Sequence, residues 1–201
     1  MNMAAAASLE EKLALARGKA DAQLHTQALA LLEACLREGV QAGATWLLYG
    51  ETLFALSRFE EAVDAYKKAL SLVPDRERSR IWCALGLLYQ KCHSPAEAKP
   101  WFHLATREDA VQGAWVLRGQ NLVLMQDYDE AIRCFSHATT LYTENYEEAL
   151  LQLALAYRSA QDYRKALRCA EQLLRKYPQS AAAKSLLADL MPVPQSTLET
   201  A

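Results

Sequence analysis

The chain lacks any long uninterrupted apolar run. Its hydrophobic stretches are each broken by a charge within about ten residues, whereas a spanning helix needs about 20. The opening MNMAAAASLEEK has no basic leader, and its apolar run is too short for a signal peptide. No membrane insertion is therefore expected. Charge of one sign is lacking too: 22 Lys and Arg face 24 Asp and Glu, for a formal charge of −2. Such a chain offers no field to draw in phosphates, so no nucleic-acid partner is expected, and no polybasic block marks a lipid surface. The seven glycines are scattered and form no phosphate-cradling loop.

Cysteine is sparse and unpaired. Cys35, Cys83, Cys92, Cys134 and Cys169 are odd in number and contain no CxxC. That excludes a disulfide framework and fits small hydrophobes in a reducing compartment, so a cytoplasmic location is expected. Cys134 and His137 lie three apart and Cys92 adjoins His93, yet neither pair has a second pair in register. A structural zinc site generally needs four converging ligands, so no metal and no cofactor are expected. Nothing in the sequence assembles a nucleophile, a base and an oxyanion site, so no catalytic residue is assigned and the chain is not expected to be an enzyme.

What the chain does have is 52% hydrophobic residues and an internal repeat. Trp46, Trp82 and Trp115 stand 36 and 33 residues apart. Each is followed four residues later by Gly50, Gly86 or Gly119 and sixteen later by Ala62, Ala98 or Ala131. Tyr66, Phe102 or Phe135 comes next, then Ala69, Ala105 or Ala138. A recurrence near 34 residues is the mark of stacked helical hairpins. Glycine inside a helix costs roughly 1 kcal/mol relative to alanine, so three at one phase imply close helix approach. The Trp and Tyr/Phe slots are expected to fill the wedges between successive hairpins.

The pattern resembles the tetratricopeptide repeat, W-x2-L-G-x2-Y, A-x3-F-x2-A and P. Trp82, Leu85, Gly86, Tyr89, Ala98, Phe102 and Ala105 match best, with Ala110 in place of the final proline. The unit at Trp46 adds Pro74. The unit at Trp115 departs at Arg118, Leu122 and Thr143. Weaker copies run through Leu150, Leu153, Tyr157, Ala166 and Pro178, and through Leu15, Ala16, Ala28 and Leu32.

The resemblance implies an all-α, right-handed α-solenoid of about five hairpins: 9–42, 43–76, 79–111, 112–145 and 147–180. A capping helix at 181–191 follows, with flexible ends at 1–8 and 192–201.

Local signals support these divisions. Ser8 to Glu11 and Ser94 to Glu97 read as capping boxes, the second with Pro95 at the first helical position. Asp127 and Asp162 read as N-caps, with Tyr128 and Tyr163 packing on the turn and Phe59 in the equivalent place. Pro100 lies deep enough in its helix to kink it or break a bond. Asp75 to Arg78, mixed in sign, reads as a solvated loop. Arg118, where leucine is expected, is read as snorkelling outward, with pairing to Asp129 or a partner contact as alternatives.

In this family the first helices of the hairpins line the concave side. The slots one, five and eight residues after the Trp slot then face a ligand. They hold Leu47, Glu51 and Phe54; Cys83, Leu87 and Gln90; Val116, Gln120 and Val123; and Leu151, Leu155 and Arg158. Seven of the twelve are large and apolar, which suits an apolar or amphipathic peptide, with Glu51, Gln90, Gln120 and Arg158 setting orientation. Any one of them could instead pack against a neighbouring hairpin.

The family's carboxylate clamp uses lysines and asparagines; Leu47, Glu51, Cys83 and Leu87 in those slots speak against it. The expected function is a non-enzymatic adaptor, scaffold or chaperone with a protein or peptide partner. The rival is a structural subunit that self-associates as a homo-oligomer or packs into a larger assembly, including a secretion-chaperone-like role. A third idea places the Pro192-Val193-Pro194 tail in the groove as a stand-in ligand.

Overall fold

A computed structural model describes residues 3–39, 41–92, 94–107, 113–141 and 146–190. Among them are eleven helices and no strand, an all-α chain of the solenoid class. The helices are α1 (Met3–Asp21), α2 (His25–Arg37), α3 (Gly43–Ala55), α4 (Phe59–Leu72), α5 (Asp75–Cys92), α6 (Pro95–Ala105), α7 (Ala114–Leu124), α8 (Tyr128–Thr140), α9 (Tyr146–Ser159), α10 (Tyr163–Lys176) and α11 (Ala181–Leu190). They fall into two compact units, Met1–Val111 and Gln112–Ala201.

In the first unit α1 pairs with α2, α3 with α4 and α5 with α6, while α3 stacks on α2 and α5 on α4. In the second unit α7 pairs with α8 and α9 with α10; α9 stacks on α8 and α11 on α10.

Three hairpins share one packing device. A Cβ added at Gly50 would lie 2.6 Å from the Tyr66 ring. At Gly86 it would lie 2.6 Å from Phe102, and at Gly119 2.5 Å from Phe135. Each ring packs against the first helix of its own hairpin and is fully buried. The sequence expectation put these rings in wedges between hairpins; Tyr66 does pack with Ile81 and Leu85 of α5 and Phe135 with Leu150 of α9, while the glycine admits each ring within its own hairpin as well. The small residues Ala62, Ala98 and Ala131, all buried, sit one turn before the rings and keep the second helix close.

The turns inside four hairpins are also identical. Gln23, Ser57, Gln126 and Gln161 take φ of 60 to 62°. In the second unit the Gln126 N–H bonds the Val123 carbonyl at 2.9 Å and the Asp127 N–H bonds that of Leu122 at 2.9 Å, the αL helix stop usually served by glycine. Left-handed backbone strains a side-chain-bearing residue. Gln126→Gly and Gln161→Gly are therefore expected to stabilise the chain by about 0.5–1 kcal/mol each, read as a higher melting temperature.

The caps at Ser94, Asp127 and Asp162 form as expected: each side chain accepts the backbone N–H three residues on, at 3.2, 3.2 and 3.1 Å. Tyr163 is exposed instead of packing on its turn. Two other expectations are corrected. Helix α1 already runs from Met3, so Ser8 lies inside it; the Ala4–Ala7 run has the highest helix propensity. Asp75 to Arg78 is the first turn of α5, not a loop. There Asp75 and Glu77 meet the positive helix end and Arg78 pairs with Asp75 at 2.9 Å. Pro100 lies inside α6 as expected: the helix continues past it and lacks one backbone donor, on an exposed side. His93, Ala110, Thr143 and the 192–201 tail lie outside the described residues.

Candidate functional site

The side chains of α3 and α5 that face each other follow from helical spacing. Arg80, Cys83, Ala84 and Leu87 recur at intervals of three and four, so they form one stripe of α5. Glu51 and Phe54 form the matching stripe of α3. Together with Tyr66 they line a pocket of about 270 Å³. Four of the twelve sequence-chosen residues, Glu51, Phe54, Cys83 and Leu87, thus meet in one place.

Leu87 is the exposed wall, at 37% of its full accessibility. Cys83 is the floor, and burial pushes its thiol up to about 12, so it stays a neutral hydrophobe rather than a nucleophile. Burial also raises the Tyr66 hydroxyl well above the ordinary phenol range, with the Glu51 carboxylate adding to the shift. At the rim Glu51 accepts from Arg80 Nη2 at 3.0 Å. Phe54 meets Phe59 edge-on at 5.8 Å, and the Lys91 ammonium stands 5.1 Å above its ring.

The other eight residues are placed differently. Leu47 and Val116 are buried, as Cys83 is, so the slot directly after each tryptophan belongs to the core edge. Gln90 is half-buried on α5. In the second unit Gln120 and Val123 are half-buried on α7, and Val123 packs on the core. Leu151 and Leu155 pack with Leu186, Leu187 and Leu190 of α11. Arg158 pairs with Asp189 of the same helix at 3.3 Å. These three groups of α9 are thereby engaged by the chain's own last helix.

Sequence reasoning missed Arg80, Ala84 and Tyr66. Stepping back three residues from Cys83 and from Leu87 would have found the first two. It also passed over a second pocket of about 490 Å³ between α1 and α3, lined by Leu13, Arg17, Asp21 and Thr45 among others. Leu13 and Arg17 hold the same slots in the degenerate first repeat as Leu47 and Glu51 do in the second.

Arg118 does not snorkel outward. It pairs with Glu130 of α8, and its guanidinium lies 5.5 Å from the Trp115 ring. His137 is spent on the same tryptophan, its ring 4.3 Å away. Cys134 is buried and pushed up to about 11, mainly by burial. Among the described residues no three His, Cys, Asp or Glu converge to hold a metal, and no helix is long and apolar enough to cross a membrane.

Comparison with known proteins agrees with this architecture. A family profile described as tetratricopeptide repeat matches residues 111–179, and one described as TPR repeat matches residues 50–91. Together they span more than half of the chain. No curated protein matches it. A tetratricopeptide repeat protein from Parabacteroides merdae is similar in structure at a TM-score of 0.73 and 21% identity, covering 91% of this chain and 72% of that one.

YrrB, a TPR protein with an unusual peptide-binding site, aligns at a TM-score of 0.67 and 20% identity, covering 90% and 91%. The thermophilic TPR protein TTC0263 from Thermus thermophilus aligns at 0.62 and 20% identity, covering 90% and 98%. The glycine-on-ring hairpins, the repeat spacing and the two profiles converge: the chain belongs to the tetratricopeptide repeat family, whose members are protein–protein interaction modules.

Proposed function

We propose that the chain is a non-catalytic adaptor, scaffold or chaperone that holds an apolar or amphipathic peptide segment on the facing stripes of α3 and α5. The observation that carries this is the pocket of Phe54, Cys83, Ala84 and Leu87, apolar below and edged by the Glu51–Arg80 ion pair. An apolar anchor side chain fills the floor, while the exposed ion pair at the rim orients a polar neighbour and adds little affinity of its own. A likeness in fold to YrrB, described as having a peptide-binding site, is consistent with this reading.

The test uses peptides selected from a random library on the whole chain. They are expected to carry an apolar anchor. Leu87→Glu is expected to weaken them by about tenfold or more, since burying one leucine is worth about 1.5–3 kcal/mol. The substitution is at an exposed position, so the helical circular-dichroism signal should be unchanged. Selected peptides that bind the folded variant as well as the parent would overturn the assignment.

A further inference from the structure

One hairpin carries a filled notch and another carries the same notch open. In α7/α8 the notch is built on Trp115, with Arg118, Glu130 and His137 at three, fifteen and twenty-two residues beyond it. The guanidinium of Arg118 lies over the tryptophan and pairs with Glu130. Counting the same intervals from Trp46 gives Tyr49, Glu61 and Lys68. These four line a single cavity of about 510 Å³ with Gln41, Asp64 and Ala65.

The difference between the two notches is that no guanidinium lies over Trp46, because Glu61 takes its partner from Arg58 beside it. Tyr49 stands where Arg118 does, its ring edge-on to Trp46 at 5.9 Å. Asp64 stands where Arg133 does, which exchanges a positive charge for a negative one. The Trp46 indole N–H is buried and makes no hydrogen bond. Glu61 is held by Arg58 at 2.7 and 2.6 Å, but both side chains are about half exposed, so that pair is weak and Glu61 keeps lone pairs for a second donor. The local field is negative: after burial, the Glu33 carboxylate is the largest influence raising the Tyr49 hydroxyl, and Glu61 adds to it against Arg58. Lys68 is the one positive lining side chain, and it sits exposed at the rim.

We propose that the Trp46 cavity receives the guanidinium of an arginine presented by a partner protein, seated on the indole as Arg118 is seated on Trp115. A guanidinium is flat and weakly hydrated, so it stacks on an indole and pairs side-on with carboxylates; an ammonium is compact and more strongly hydrated. Asp64 supplies the counter-charge, and Glu61, each of whose oxygens accepts one bond from Arg58, adds its remaining lone pairs. The site shares no residue with the α3/α5 pocket and does not rest on the peptide-anchor reading.

The test titrates N-acetyl-arginine amide into the full ¹⁵N-labelled chain and follows the indole N–H resonance of Trp46, identified by its loss in Trp46→Phe. Arginine is expected to shift that resonance saturably, capped lysine to bind about threefold more weakly, and capped citrulline to have no effect. Asp64→Asn is expected to weaken the arginine response about threefold or more. Tyr49→Arg supplies the guanidinium in cis and is expected to abolish it. No saturable arginine shift, or an equal one with citrulline, overturns the proposal. So does an undiminished response in Asp64→Asn, a surface change that holds the test open even if Tyr49→Arg does not fold.

Discussion

Gly119→Ala is expected to cost about 2 kcal/mol of stability, although the same exchange in an unconstrained helix gains about 1 kcal/mol. The new Cβ would lie 2.5 to 2.8 Å from three carbons of the Phe135 ring. Real Cβ atoms do not approach that closely, so the ring or the helix must move. The ring has no room to do so, being fully buried among Leu122, Ala131, Ala138 and Leu150.

Gly50→Ala against Tyr66 and Gly86→Ala against Phe102 are expected to behave alike, because the nearest approach is the same to within 0.1 Å. Shortening the ring partner should relieve the clash: in the Gly119→Ala background, Phe135→Leu should cost less than it does alone. Urea unfolding of the four chains of the cycle measures the coupling. An alanine variant as stable as the parent would mean that the glycines do not set the hairpin spacing.

That device was legible in the sequence because it uses two residue types at a fixed interval of sixteen. Glycine in mid-helix is costly enough to demand a reason, and the aromatic at constant phase supplies it. The caps were legible for the same cause: Ser94, Asp127 and Asp162 have side chains that do one thing well at a helix start. The αL stops were not legible, since Gln23, Ser57, Gln126 and Gln161 carry no preference for φ near 60° and the conformation is imposed by the hairpin.

Eight of the twelve candidate positions fell outside the pocket for a related reason. Counting slots fixes which side of a helix a residue lies on, but not how far the neighbouring helix reaches over it. Leu47, Cys83 and Val116 sit on the expected side and are still buried, and Leu151 and Leu155 are met by α11. The pocket of α3 and α5 survives because Leu87 of α5 stays exposed at its wall.

Arg118→Leu restores the family's usual residue and is nonetheless expected to destabilise, by about 3 kcal/mol. The Arg118 and Glu130 side chains are only 14% and 20% exposed, so removing one takes a close counter-charge from the other in a poorly hydrated place. The sequence favoured Asp129 among acidic partners, but Asp129 is exposed and Glu130 is turned toward α7. The two single variants should not be equal. Glu130 is the third residue of α8, where its charge is also favoured by the helix N-terminus, a contribution that Glu130→Leu loses and Arg118→Leu keeps. Glu130→Leu is therefore expected to cost more than Arg118→Leu.

Replacing both with leucine removes both half-buried charges together and should recover most of the loss, giving a coupling of about 2 kcal/mol or more in a double-mutant cycle. Because the pair is mostly buried, that coupling should persist in high salt, unlike that of the exposed Arg80–Glu51 pair. Additive costs in the cycle, or a coupling lost on adding salt, would show that Arg118 reaches solvent after all. The cation would then be surplus to its notch, and the parallel with the open Trp46 cavity would fail with it.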